Sequence, residues 1–132
     1  MEARHYRDRA VEFFQAMQLL ETDLVAFGNA AALLAVHCCI SMADALLVHA
    51  GGRPSRARDH LAAAEAMERL GAPDRLGPLA HHFKEAVSCK SRLEYGSRRL
   101  SVQRDIHRVI MHTRRFIAAV LRLCPELAKE GM

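Results

Sequence analysis

The chain has 132 residues, of which 51% are apolar, 26% charged and 5% aromatic, with a formal net charge of +4. A chain of this length buries enough surface for one hydrophobic core but not for two, so we expect a single domain over residues 1–132. The apolar fraction excludes an intrinsically disordered protein, and four cysteines are too few for a disulfide-stapled scaffold. An Ala- and Leu-rich chain with only seven Gly and four Pro favours helices.

The first predicted helix covers residues 3–26. Its apolar positions recur at steps of three and four, so one stripe should face a core. This stripe includes Val11, Phe14 and Met17. We expect Gly28 and Asn29 to end the helix.

The second predicted helix, over residues 30–50, is apolar on nearly every side and rich in Ala, as in a helix that others surround. Gly51 and Gly52 should end it, as glycine does where a left-handed residue is required. Residues 24–43 carry no formal charge, but polar residues interrupt them, which favours a buried central helix over a membrane span. The N-terminus is too charged for a signal peptide.

Three further helices are predicted. Ser55 should cap a helix over residues 56–70. A loop follows over residues 71–78, and Pro78 should open a fourth helix that runs to about residue 99. In the fifth helix, over residues 101–124, the apolar positions lie opposite the arginines. Together these elements predict an all-α fold, an antiparallel up-and-down four-helix bundle with residues 56–70 as a short fifth helix.

Basic charge is concentrated in residues 90–115, where eight basic side chains accompany two acidic ones, a net charge of +6 that leaves −2 for the rest of the chain. Such a segment either attracts phosphates or an acidic partner, or forms a solvated helix face. If the chain binds nucleic acid, the expected phosphate track is Arg98, Arg99, Arg104 and Arg108.

Cysteines and histidines form no helical metal motif. The four cysteines contain no CxxC pair and are typical of buried apolar side chains in a reduced, cytoplasmic protein. His107 and His112 are five residues apart, and His81 and His82 are adjacent, so the members of each pair diverge around a helix. We therefore expect neither a metal ion nor a cofactor.

A polar line interrupts the apolar second helix at spacings of four and three. It consists of His37, Ser41 and Asp44. A buried Asp44 needs a partner, because an unpaired carboxylate is costly to bury. The expected suppliers are Lys90, Arg92 and Tyr95. This group is either an interhelical site for a nucleotide or RNA phosphate, or a satisfied network that fixes helix register.

Two segments match helices of a known family. They are residues 31–61, AALLAVHCCISMADALLVHAGGRPSRARDHL, and residues 89–101, CKSRLEYGSRRLS, with the helix that follows. The first resembles the second and third helices of HEPN domains (higher eukaryotes and prokaryotes nucleotide-binding), and the second resembles HEPN variants with a Lys/Arg-x-x-Glu-Tyr-Gly pattern. The resemblance spans residues 5–124. It implies a homodimer, a nucleotidyltransferase partner, and RNA or a nucleotide as ligand, without a membrane.

The same family includes metal-independent ribonucleases with an Arg-x(4–6)-His motif near the start of the fourth long helix. Matches begin at Arg53 and Arg75, outside that place, and Arg92 has no histidine at the required spacing. The resemblance therefore implies a non-catalytic binding or interaction module. The alternatives are a ribonuclease that uses Arg92 with His60, and a nucleic-acid binder that uses the basic stripe.

Overall fold

The computed structural model describes residues 2–54, 60–69, 73–88 and 103–129. They form five α-helices: α1 (Ala3–Leu20), α2 (Leu24–His49), α3 (His60–Glu68), α4 (Pro73–Val87) and α5 (Gln103–Leu123). Short 3-10 turns cover Glu21–Asp23 and Pro125–Leu127. These four stretches contain no strand, so the prediction of an all-α protein is confirmed for them.

α2 is the central helix and contacts each of the other four. Its inward positions carry small residues that have no exposed surface, which lets neighbouring helices approach closely. These include Ala31, Ala32, Ala35, Ala43 and Ala45. By length and composition alone this part of the chain could cross a membrane, yet 72% of its most apolar window is buried inside the protein. The prediction of a buried α2 is therefore confirmed.

The junction between α1 and α2 differs from the prediction. α1 ends at Leu20 rather than near residue 26, and α2 begins at Leu24. The Asp23 side chain accepts a hydrogen bond from the backbone N–H of Ala26 at 3.1 Å, so it caps the N-terminus of α2. This local cap starts the new helix before the predicted break is reached.

Gly28 lies inside α2 and does not end a helix, which corrects the prediction. The backbone kinks at the preceding residue, Phe27, whose φ of −121° and ψ of 17° are not helical. A β-carbon on Gly28 would lie 2.6 Å from Cδ1 of Ile106 on α5. Gly28 therefore lies where two helices approach closely, and an added methyl group would displace the end of the Ile106 side chain.

The C-terminus of α2 confirms its prediction. Gly51 has a φ of +87°. Its N–H donates to the carbonyl of Val48 at 3.0 Å, while the N–H of Gly52 donates to the carbonyl of Leu47 at 2.9 Å. These two hydrogen bonds form a Schellman motif, in which a left-handed glycine satisfies the last carbonyls of the helix.

α4 begins at Pro73, five residues before the predicted start, so the predicted loop over residues 71–78 is wrong from residue 73 onwards. A proline suits the first helical position because its missing N–H would have no partner there. Pro78 instead lies within the helix. α4 ends at Val87, whereas the predicted fourth helix continues through residues 89–99, which lie outside the described residues.

α5 packs between α2 and α4, and its buried face is the predicted one. The buried positions include Ile106, Val109, Thr113, Phe116 and Val120. Towards α4, the Phe116 ring lies 5.4 Å from the Phe83 ring, centroid to centroid. Towards α2, the Cys39 thiol donates to the Thr113 hydroxyl at 3.3 Å, and this hydroxyl lies 2.9 Å from the carbonyl of Val109. Apolar packing and satisfied polar groups thus hold α5 on both sides.

Candidate functional site

The outer face of α5 carries arginines at the spacings that align on one side of a helix. Arg104, Arg108 and Arg115 are exposed there, opposite the buried face. They border a shallow open groove of about 750 Å³, referred to below as the arginine groove. Its lining is Glu21, Arg104, His107, Arg108, Ile110, Met111, Arg114 and Arg115. Of the predicted phosphate track, the structure thus brings Arg104 and Arg108 together, while Arg98 and Arg99 lie outside the described residues.

Two of the four groove arginines are neutralised by ion pairs. Arg108 Nη2 lies 2.6 Å from Glu85 Oε2 on α4. Arg114 binds the Glu21 carboxylate through both terminal nitrogens, with Nη1 donating to Oε2 at 2.9 Å. Arg104 and Arg115 have no carboxylate partner in the part of the chain that the structure describes. Among the described residues, the groove therefore holds two guanidinium groups that no carboxylate neutralises, and a guanidinium donates readily to phosphate oxygens.

A histidine cluster lies where α4 meets α5. It consists of His81, His82 and His112. The Nδ1 atoms of His82 and His112 lie 2.8 Å apart, so one ring donates its Nδ1–H to the other. The His81 ring centroid lies 5.4 Å from that of His82 and 5.6 Å from that of His112. His112 is buried, His82 half-buried and His81 exposed, so the cluster opens to solvent on the His81 side.

The environment keeps two of these histidines neutral. Burial lowers the pKa of His82, and electrostatic interactions with the neighbouring His81 ring and the Arg115 guanidinium lower it further. Burial also lowers the pKa of His112, and the Glu85 carboxylate opposes that effect only in part. Both rings are therefore uncharged at neutral pH, the form in which imidazole binds metal ions.

A second group of possible ligands lies near the end of α5 and includes His49, Cys124 and Glu126. The Cys124 thiol donates to the Glu126 carboxylate at 3.2 Å. Burial, followed by this carboxylate, raises the pKa of the thiol to about 11. Because thiols bind metal ions as thiolates, this group is the poorer candidate at neutral pH.

The predicted site around Asp44 is described only in part. Asp44 and Ser41 are buried on α2, as expected for a polar line inside the protein. The third member, His37, is half-buried, and its ring lies 5.5 Å from that of Phe13 on α1. The expected partners Lys90, Arg92 and Tyr95 lie outside the described residues, so their meeting with Asp44 stays a prediction.

The histidine cluster does not follow from spacing within one helix, which is the basis of the prediction that the chain has no metal site. Its ligands come from two helices, α4 and α5. One sequence signal was present. His82 immediately precedes the buried Phe83, and His112 lies one turn before the buried Phe116, so packing of the two aromatic residues brings both histidines to the same interface.

Comparisons with family models, curated proteins and solved structures find no match for this chain.

Proposed function

We propose that this protein is a non-catalytic binding module that holds the phosphates of single-stranded RNA in the arginine groove. The supporting observation is the convergence of four arginines on one groove, two of them without a carboxylate partner among the described residues. Arginine suits this role because its planar fork donates two parallel hydrogen bonds to phosphate oxygens.

The composition of the groove favours a flexible strand over a rigid duplex. His107 and Met111 lie among the arginines, and both are exposed. An imidazole can stack on a splayed base, and a thioether gives an adaptable apolar contact. Arginine–phosphate contacts with base stacking give binding that tolerates sequence changes and weakens with salt.

The test is the fluorescence anisotropy of a labelled single-stranded RNA at several salt concentrations. In the double variant Arg104→Gln/Arg115→Gln we expect affinity to fall at least about tenfold. The slope of log K against log salt should become shallower by about 1.4, since each single-strand phosphate contact contributes about 0.7. Arg122→Gln is the matched control, because Arg122 is exposed on the same helix but does not line the groove. Equal losses in both variants would contradict the proposal.

The same preparation tests the absence of catalysis. We expect the RNA to stay intact after prolonged incubation with the protein. RNA cleavage that disappears in Arg92→Ala would instead support the metal-independent ribonuclease suggested by the HEPN resemblance.

We further propose that the chain adopts the HEPN-like antiparallel four-helix arrangement and forms a homodimer, with a nucleotidyltransferase as a further partner implied by the resemblance alone. The pairings of α1 with α2, α2 with α5, and α4 with α5 support the arrangement. Three exposed apolar side chains near the α1–α2 junction support self-association: Leu19, Val25 and Phe27. Light scattering should show a dimer that Val25→Glu weakens, and a native monomer at micromolar concentration would contradict it.

A further inference from the structure

We propose that His81, His82 and His112 bind one divalent transition-metal ion of the zinc class, bridging α4 and α5. One ring nitrogen from each of the three histidines lies within 4.8 Å of the other two. Three imidazoles from two helices form a ligand set that zinc accepts, with a fourth position left for water or a small anion.

The short distance between His82 and His112 is the strongest support for a metal site. Their Nδ1 atoms lie 2.8 Å apart with one proton between them, so two potential ligand atoms already lie side by side. Tetrahedral zinc with Zn–N bonds of 2.0–2.1 Å requires ligand nitrogens roughly 3.3 Å apart. Replacing this proton by the ion requires the two atoms to separate by about half an ångström and both rings to tilt, so that their lone pairs converge on the ion.

The third ligand and the route of entry come from His81. This side chain is exposed, so it can turn towards the centre without disturbing the core, and the ion can enter from solvent on its side. On the protein side, the Phe83 ring follows His82 and the Phe116 ring lies one turn after His112, and their packing joins the two helices.

Neighbouring charges select the kind of ion. Glu85 and Arg108 lie near His112 and are paired with each other, whereas Arg115 lies near His82 and repels a cation. Imidazole nitrogens beside a guanidinium offer nothing to Mg²⁺ or Ca²⁺, which need oxygen ligands. Zn²⁺, Co²⁺ and Ni²⁺ gain most from imidazole coordination and can bind despite the nearby positive charge.

The experiment is a titration of the chain, free of any polyhistidine tag, with Co²⁺ followed by visible absorption, and then displacement by Zn²⁺. We expect a saturable signal with one ion per chain, no competition from Mg²⁺, and a zinc-dependent rise in Tm. His81→Ala, which removes an exposed ligand and leaves the core intact, should weaken affinity at least about tenfold and abolish the rise in Tm. His112→Gln should have a larger effect on affinity, with circular dichroism confirming that the variant folds.

Two controls decide where the ion binds. His107→Ala removes an exposed histidine on α5 outside the cluster, and His49→Ala removes the only histidine of the second group of possible ligands, so both should bind as the native chain does. Absence of saturable binding, unchanged affinity in His81→Ala, or a loss in His49→Ala would overturn the proposal. RNA binding is measured separately from metal binding, so failure of one proposal leaves the other to its own test.

Discussion

α5 packs against α2 on one side and against α4 on the other, and the two interfaces differ in how deeply their polar side chains are buried. Against α2, small residues and Gly28 allow close packing, and the buried Cys39 thiol donates to the buried Thr113 hydroxyl. Against α4, the interface holds the Phe83–Phe116 pair, the histidine cluster and the Arg108–Glu85 ion pair. The α2–α5 interface serves packing. The α4–α5 interface also carries side chains that can bind an ion or a ligand, at an edge that solvent reaches.

The difference between the two interfaces indicates where a small helical protein can form a ligand site. A polar group deep between α2 and α5 would need a partner at every hydrogen-bonding atom, because burial in an apolar interior is costly. At the edge of the α4–α5 interface, solvent meets part of that need, while the hydrogen bond and ring contacts among the histidines hold their side chains together. Both proposed sites accordingly adjoin the outer surface of α5.

The largest expected effect concerns the Cys39 thiol, which reports how well the α2–α5 interface excludes water. Burial raises the pKa of this thiol from 9.0 to about 12. At pH 8 the thiolate population, and with it the alkylation rate, should be about a thousandfold lower than for an unperturbed cysteine. Mass spectrometry of the iodoacetamide-treated protein should show modification of the peptide with Cys38 and Cys39 only on unfolding. Equal rates for native and urea-unfolded protein would show that the interface admits solvent.

The next largest effect is expected for Phe116→Ala, which breaks the aromatic pair of the α4–α5 interface. Removing a fully buried ring should lower the free energy of unfolding by about 3–5 kcal/mol. Urea denaturation followed by circular dichroism gives this value. His107→Ala is the matched control, because it removes an exposed ring from the same helix, and it should change stability by no more than about 0.5 kcal/mol.

Close packing of the α2–α5 interface predicts a cost for any larger side chain. Ala35 has no exposed surface, so Ala35→Leu should destabilise the protein by about 1–3 kcal/mol. The exposed Ala118 on α5 gives the comparison, since Ala118→Leu adds the same atoms where nothing crowds them. If the two variants unfold at the same urea concentration, α2 and α5 are more loosely packed than their buried alanines imply.

The smallest effects are expected for the two ion pairs that flank α5. The bidentate Arg114–Glu21 pair should contribute up to about 1 kcal/mol, and Arg108–Glu85 less than that, because exposed pairs gain little against water and salt. Double-mutant cycles with glutamine substitutions at each pair measure the two coupling energies. We expect both energies to shrink in high salt, and a coupling above about 2 kcal/mol at either pair would contradict this ranking.

The parts of the fold that follow from local chemistry were predictable. The buried and exposed faces of α5 follow from spacing within one helix, and the end of α2 follows from the left-handed conformation that Gly51 adopts. The start of α4 was not predictable, because Pro73 and Pro78 both suit the first turn of a helix and only the structure distinguishes them.

The candidate sites divide in the same way. Arg104 and Arg108 were predictable, since their common face is a property of one helix. The meeting of His82 with His112 was not predictable from either helix alone, because it depends on how α4 packs against α5 through Phe83 and Phe116. Gly28 misled for a related reason, because its need for space arises from Ile106, 78 positions further along the chain.

The contact between Gly28 and Ile106 also shows how the α2–α5 interface would respond to a small change. A methyl group added to Gly28 would meet Cδ1, the far end of the Ile106 side chain, while Cγ1 and Cγ2 of Ile106 would lie 3.7 Å away, at ordinary contact distance. Rotation of this one side chain is enough to make room, so α5 would keep its place, together with the residues of the arginine groove and the histidine cluster that it carries. A substitution of Gly28 by Ala is therefore absorbed by one side chain rather than by movement of a helix.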